Sequence, residues 1–400
     1  WLTRDWQGLF YKLFNKIFCI KLTTENGWLD VADYIVVPYS EEDNRGKTGL
    51  RILLSLGQDA EPITPYGVDV HGEELDTDLP VLQCYISPLT NFYPYSVFRD
   101  LVISSLQLSV DVKGVKNILA YNQHGQLDPS MPFQPFGPLP GGNSYFIFGN
   151  YELSRKSLVE LNLNLEWAEL PRNAGGFSEY YRGYDTQYSN PIFKGEFTAL
   201  SDSRWQPYDS AVRPRVDLFR SDTVSGRLSI KNTMAVDVLA FSKANTASIA
   251  EDAYQYSLKT RNGFFRLSLT APESAFGHAE YPGILTRVLS ANARLKKPGR
   301  PPNPPYTPTL NRISLDYKAS SNISLAVKRS ENNVSSEEII HLHPFGVETV
   351  YPAALDKPCF LMPQYWHEGN LFIGLSATNL SGVLTLLFNL TEEVVQVSMK

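Results

Sequence analysis

Apolar positions along this chain follow two periods. Leu2, Trp6, Leu9, Phe10, Leu13, Phe14, Ile17 and Phe18 recur at steps of three and four, so an amphipathic helix is expected at the start. Alternation dominates afterwards. Arg51–Leu56, Leu101–Val112, Tyr145–Phe148, Leu161–Trp167, Arg227–Ile230, Phe264–Leu269, Ile313–Tyr317, Ile323–Val327, Leu371–Leu375 and Leu384–Leu390 are short and rich in aromatic and branched residues. Gly, Pro, Asn and Ser bound them, which predicts strands. One further helix is expected over Tyr281–Leu295, where Ile284, Leu285, Val288 and Leu289 share a face. Many strands with few helices between them predict antiparallel sheets, not a βαβ arrangement. The expected fold is mainly β with a few helices: several antiparallel β-sandwich-like domains joined by proline-rich linkers.

Two proline-rich stretches interrupt the alternation. Pro132, Pro135 and Pro138 interleave at steps of three with Phe133, Phe136 and Leu139, with Gly137 among them. Proline fixes φ and disfavours helix before it, so this run is expected to be extended, with prolines on one ridge and apolar side chains on another. Such a ridge needs a surface, either its own domain or a neighbouring chain. In Lys296–Pro308, Pro302, Pro305 and Pro308 again fall three apart, predicting a stiff spacer anchored by Tyr306. The basic residues Arg294, Lys296, Lys297 and Arg300 suit a solvated linker or an acidic neighbour. His343–Glu348, which includes Pro344 and Phe345, followed by Gly369–Leu390, echoes the order of motifs from Pro135 to Trp167. This suggests two related β-domains flanking a third. The expected layout is an N-terminal helix and a segment completing an upstream domain (1–97), a β-domain with the proline strap (98–220), a middle α+β domain (221–295), a linker (296–309) and a C-terminal β-domain (310–400).

The 400 residues are 43% hydrophobic, enough for sizeable cores, and the net charge of −6 argues against general nucleic-acid binding. Three cysteines, Cys19, Cys84 and Cys359, fit neither a disulfide framework nor a CxxC metal site. No apolar run approaches the roughly 18 to 20 residues that span a bilayer. Trp1 opens the chain without methionine or signal-peptide pattern, and the pattern still looks structured at Lys400, so a segment of a longer polypeptide is expected.

The search for chemistry gives mostly rejections. Arg45-Gly46-Lys47-Thr48 ends like a phosphate loop, but Glu41 stands where the first glycine is required. No nucleophile elbow, HExxH or GxGxxG occurs. Glu41, Glu42 and Asp43 read as a solvated loop. His341 and His343 would share one side of a strand with Glu337 and Glu338 nearby, yet no third ligand is evident. Tyr180, Tyr181, Tyr184 and Tyr188 suit either a sugar-binding face or a protein interface. Asn322, Asn333, Asn379 and Asn389 begin sequons that do not establish secretion. No catalytic residue, cofactor or metal ion is therefore assigned. The candidate interaction or packing residues are Pro132, Phe133, Pro135, Phe136, Gly137, Tyr180, Tyr181, Tyr184, Pro305, Tyr306, Pro344 and Phe345.

Taken in order, PFQPFGPLP, GGNSYFIFGNYELSRKSL, LPRNAGGFSEYYRGY, FRLSLTAPESAFGHAEYP, PPNPPYTPTLNRISLDY, HLHPFGVE and GNLFIGLSATNLSGVLTLLF span roughly Arg51 to Phe388. This set resembles the large baseplate-wedge, or baseplate J-like, proteins of extracellular contractile injection systems, which are phage-tail-like particles. Those proteins are considerably longer. The resemblance implies a structural, non-enzymatic subunit, sixfold around a hub and spike. It would contact other wedge subunits and sheath-proximal proteins and relay the rearrangement that triggers contraction. It implies assembly in the bacterial cytoplasm within a particle that can be released outside, with no cofactor, nucleic acid or direct membrane span. Two alternatives of other classes are a secreted carbohydrate-binding or carbohydrate-active β-protein and an adaptor presenting proline-rich ligands.

Overall fold

Leu161, Leu163, Leu165 and Trp167 are buried while the residues between them stay partly exposed. Side chains two apart share a face, so an alternating strand buries one side of a sheet and leaves the other accessible. The fold is mainly β, with several antiparallel sheets built on this rule. The computed structural model describes residues 14–40, 48–57, 59–72, 75–87, 90, 94–242, 254–325, 338–343, 346–351, 358–364, 373 and 385–387. The chain forms two compact units, one discontinuous (1–105 and 324–400) and one continuous (106–323).

In the discontinuous unit, β1 (Phe18–Thr24) runs antiparallel between β2 (Gly27–Asp30) and β5 (Leu82–Ile86). A hairpin, β3 (Tyr34–Ser40) with β4 (Thr48–Leu54), accompanies this sheet. Ile20, Leu22 and Val31 form one small core, and Phe14, Ile17, Val36 and Phe98 another.

The continuous unit is a β-sandwich. Its strands are β6 (Ser105–Val115), β7 (Leu119–Asn122), β8 (Gly125–Leu127), β9 (Tyr145–Gly149), β10 (Leu158–Trp167), β11 (Lys194–Ser201), β12 (Arg204–Gln206), β13 (Arg215–Asp217), β14 (Lys231–Val236), β15 (Phe264–Ala271) and β16 (Leu310–Ser324). A four-stranded sheet has the order β14-β10-β16-β6, and a seven-stranded sheet the order β12-β11-β15-β9-β7-β8, with β13 also on β11. In the first sheet Leu163 pairs with both Met234 and Leu315. These residues share one core with Phe146, Phe148, Phe197, Phe265 and Leu267 of the second sheet. A helix, Tyr281–Asn292, begins with proline in its first turn and buries Ile284.

Beyond residue 323 the chain returns to the discontinuous unit. There the Ile103 N–H donates to the Cys359 carbonyl at 2.7 Å and the Leu361 N–H to the Leu101 carbonyl at 2.8 Å. A second hairpin joins β17 (Ile339–His343) to β18 (Gly346–Tyr351).

Several expectations differ from the structure or fall outside the described residues. The opening helix falls almost wholly outside the described residues, and Phe18 already belongs to β1. Arg227–Ile230 is not a strand; β14 begins at Lys231. Ile313–Tyr317 and the start of Ile323–Val327 are one strand, β16, because Lys318 and Ala319 stay paired with β10 and the Ser320 N–H donates to the Ser157 carbonyl. Leu371–Leu375 and Leu384–Leu390 lie almost entirely outside the described residues. The boundaries at 220/221, 295/296 and 309/310 all fall within one compact unit. Residues 296–309 therefore join a helix to a strand of the same sandwich instead of linking domains. The physical reason is Tyr306, whose ring lies in the sandwich core.

Candidate functional site

The proline–phenylalanine strap lies on its own core. Phe133 and Leu310 exchange backbone hydrogen bonds of 3.0 and 2.8 Å, so the strap adds a one-residue bridge to the start of β16. Phe136 is 0% exposed, and the Gln123 Nε2 donates to its carbonyl at 2.7 Å. The expected three-residue ridge breaks, however: Leu139 is 74% exposed, and Pro135 is buried while Pro132 and Pro138 are exposed. Gly137, at φ +80°, causes the break by turning the chain through a region that other residues rarely adopt. A Cβ at this position would also lie 2.7 Å from the His124 ring.

The tyrosine run faces inward and holds the second proline segment. A polyproline-like backbone makes no internal hydrogen bonds, so its carbonyls need donors from elsewhere. The Tyr180 hydroxyl donates to the Pro304 carbonyl at 2.9 Å and the Tyr184 hydroxyl to the Asn303 carbonyl at 2.7 Å. Tyr181, buried, donates to the Phe276 carbonyl at 3.0 Å and accepts the Tyr306 N–H at 3.0 Å. The Tyr306 hydroxyl reaches the Ala168 carbonyl at 2.8 Å. Pro305 is half-buried beside it. Neither a sugar-binding face nor an inter-subunit contact is needed to account for these tyrosines.

Burial pushes the phenols of Tyr181, Tyr184 and Tyr306 above the usual tyrosine range, because the charged form loses its hydration. The folded values lie above the unfolded value of about 10. The unfolded chain thus releases these protons first, and the associated stability, complete below about pH 10, falls as pH rises. The urea midpoint should decline above about pH 10, with the last of the tyrosinate absorbance appearing in step with unfolding. Ionisation of all 22 tyrosines at the ordinary value with native circular dichroism retained would contradict the inward placement.

One group of potential metal ligands occurs among the described residues: His341, His343 and Glu348, whose ligand atoms all lie within 4.8 Å of one another. The period of β17 places the two histidines on one face, and the antiparallel register sets Glu348 directly opposite His341. The His343 Nε2 is 3.4 Å from a Glu348 carboxylate oxygen. Burial holds the His341 imidazole below the usual histidine range, against an opposing hydrogen bond to the Phe360 backbone. The acidic partner is Glu348, across the hairpin, and not the sequence neighbours Glu337 and Glu338 expected to supply it. The signal was available, since a two-residue connection after His343 pairs residue 341 with 348. Glu337, Pro344 and Phe345 lie outside the described residues, as does most of the Gly369–Leu390 part of the second echo copy.

An apolar surface marks the first hairpin. Val36 is fully buried, but Ile35 and Leu53, paired across β3 and β4 on the opposite face, are each 49% exposed. No family model matches the chain, and no curated protein matches it.

Proposed function

We propose that the chain is a structural baseplate-wedge component of a contractile, phage-tail-like injection particle. In this role it links hub, wedge and sheath-proximal proteins and relays the rearrangement that triggers contraction, without catalysis. The motif order supports this reading, and one structural observation carries it: Ile35 and Leu53, cross-strand partners beside Arg51 on the outward face of the β3–β4 hairpin, form an exposed apolar pair. The occupant of that face is a neighbouring wedge subunit. The carbohydrate reading is disfavoured because the hydroxyls of Tyr180, Tyr181 and Tyr184 are engaged by backbone carbonyls. No helix among the described residues is long and apolar enough to cross a membrane.

Electron microscopy of material co-purifying with the tagged chain from its native cells should reveal sixfold tail-like particles. Ile35→Glu and Leu53→Glu, at exposed positions, should leave folding within about 0.5 kcal/mol of the parent yet deplete the chain from particles. A lone monomer, or undiminished incorporation of both variants, would refute the proposal.

A further inference from the structure

We propose that the β17–β18 hairpin binds one divalent transition-metal ion of the zinc type through His341, His343 and Glu348. Three observations carry the assignment. First, the donor set is two imidazoles and a carboxylate, which suits zinc with a fourth position left for water or an incoming ligand. Second, the geometry is near closure: tetrahedral ligands at bonds of about 2.0–2.1 Å sit about 3.3 Å apart. The His343–Glu348 separation is already 3.4 Å, and the widest separation in the group is no more than 4.8 Å. Small side-chain rotations therefore bring all three atoms onto one ion.

The third observation concerns His341, which is only 8% exposed and whose Nε2 is buried with no hydrogen-bond partner among the described residues. A buried polar atom without a partner is costly, and a metal ion satisfies it. His341 thus has a buried ring nitrogen free to ligate, in a group whose ligand atoms all lie within 4.8 Å of one another. The Glu348 side chain is 60% exposed, so the ion has an entry path and its open position faces outward.

The test uses the full chain, stripped with chelator and titrated with Zn²⁺ against a chromophoric competitor, with Co²⁺ as a spectroscopic probe. One Zn²⁺ per chain is expected, together with the visible absorption of four-coordinate Co²⁺. Glu348→Gln, at an exposed position that does not threaten folding, should weaken Zn²⁺ binding by at least about tenfold, and His343→Ala by more. His341→Ala should abolish the Co²⁺ spectrum. Failure to bind Zn²⁺ would overturn the assignment. So would binding that Glu348→Gln and His343→Ala leave unchanged, because the ion would then sit elsewhere.

Discussion

Phe136→Ala is expected to lower the unfolding free energy of the isolated chain by about 3 to 5 kcal/mol, the range for truncating a fully buried phenylalanine. The ring is 0% exposed within the core shared by both sheets of the sandwich. The hydrogen bond from the Gln123 side-chain amide to the Phe136 carbonyl and the turn at Gly137 keep the backbone from collapsing into the vacated space. Leu139→Ala, three residues along the same run, should change stability by no more than about 0.5 kcal/mol, because that side chain lies outside. Urea unfolding of the two variants side by side decides the matter. Equal effects would mean the strap is not seated as described. The substitution acts on folding itself.

Tyr306→Ala is expected to cost a similar amount, about 3 to 5 kcal/mol, because it removes a large ring from the same core. The ring packs 5.4 Å from Phe177 and 6.0 Å from Phe219, centroid to centroid. Tyr306→Phe keeps that packing but leaves the Ala168 carbonyl without its donor, which should cost about 1 to 3 kcal/mol. A stiff solvated spacer predicts something different: both variants near zero. Thermal or urea unfolding of the pair separates the readings, and the difference between the variants measures the ring apart from its hydroxyl.

Much of the sandwich was legible in the sequence, for a specific reason. β10, β15 and most of β16 alternate because one face of each sheet meets the shared core, β9 is a short apolar run bounded by glycines and buried on both faces, and the helix at 281 follows its 3.6-residue period. β11 was not legible. It reads KGEFTALS and is buried at every interior position, because Leu200 on its far side joins a second cluster with Tyr121, Ile147, Tyr254 and Phe264. A strand covered on both faces loses its alternation, and Glu196, held by Arg213, breaks the apolar run that would replace it. The proline segments misled for another reason. Periodicity reveals that a polyproline-like chain lacks its own hydrogen bonds, but not that Tyr180 and Tyr184, more than a hundred residues earlier, supply the donors. The histidine cluster required a hairpin register, which residue types alone do not display.

The interruption of the discontinuous unit between residues 105 and 324 sets a timetable for biosynthesis. The sandwich is contiguous and can close as soon as β16 leaves the ribosome, whereas the partners of Leu101 and Ile103, at Leu361 and Cys359, emerge later. During that interval β1–β5 already have one another as partners, while the stretch from Leu101 to Ile103 waits for its own, and translation through the inserted segment fixes how long. A completed sandwich then shortens the effective loop that must close, because β6 and β16, its first and last strands, are neighbours in one sheet.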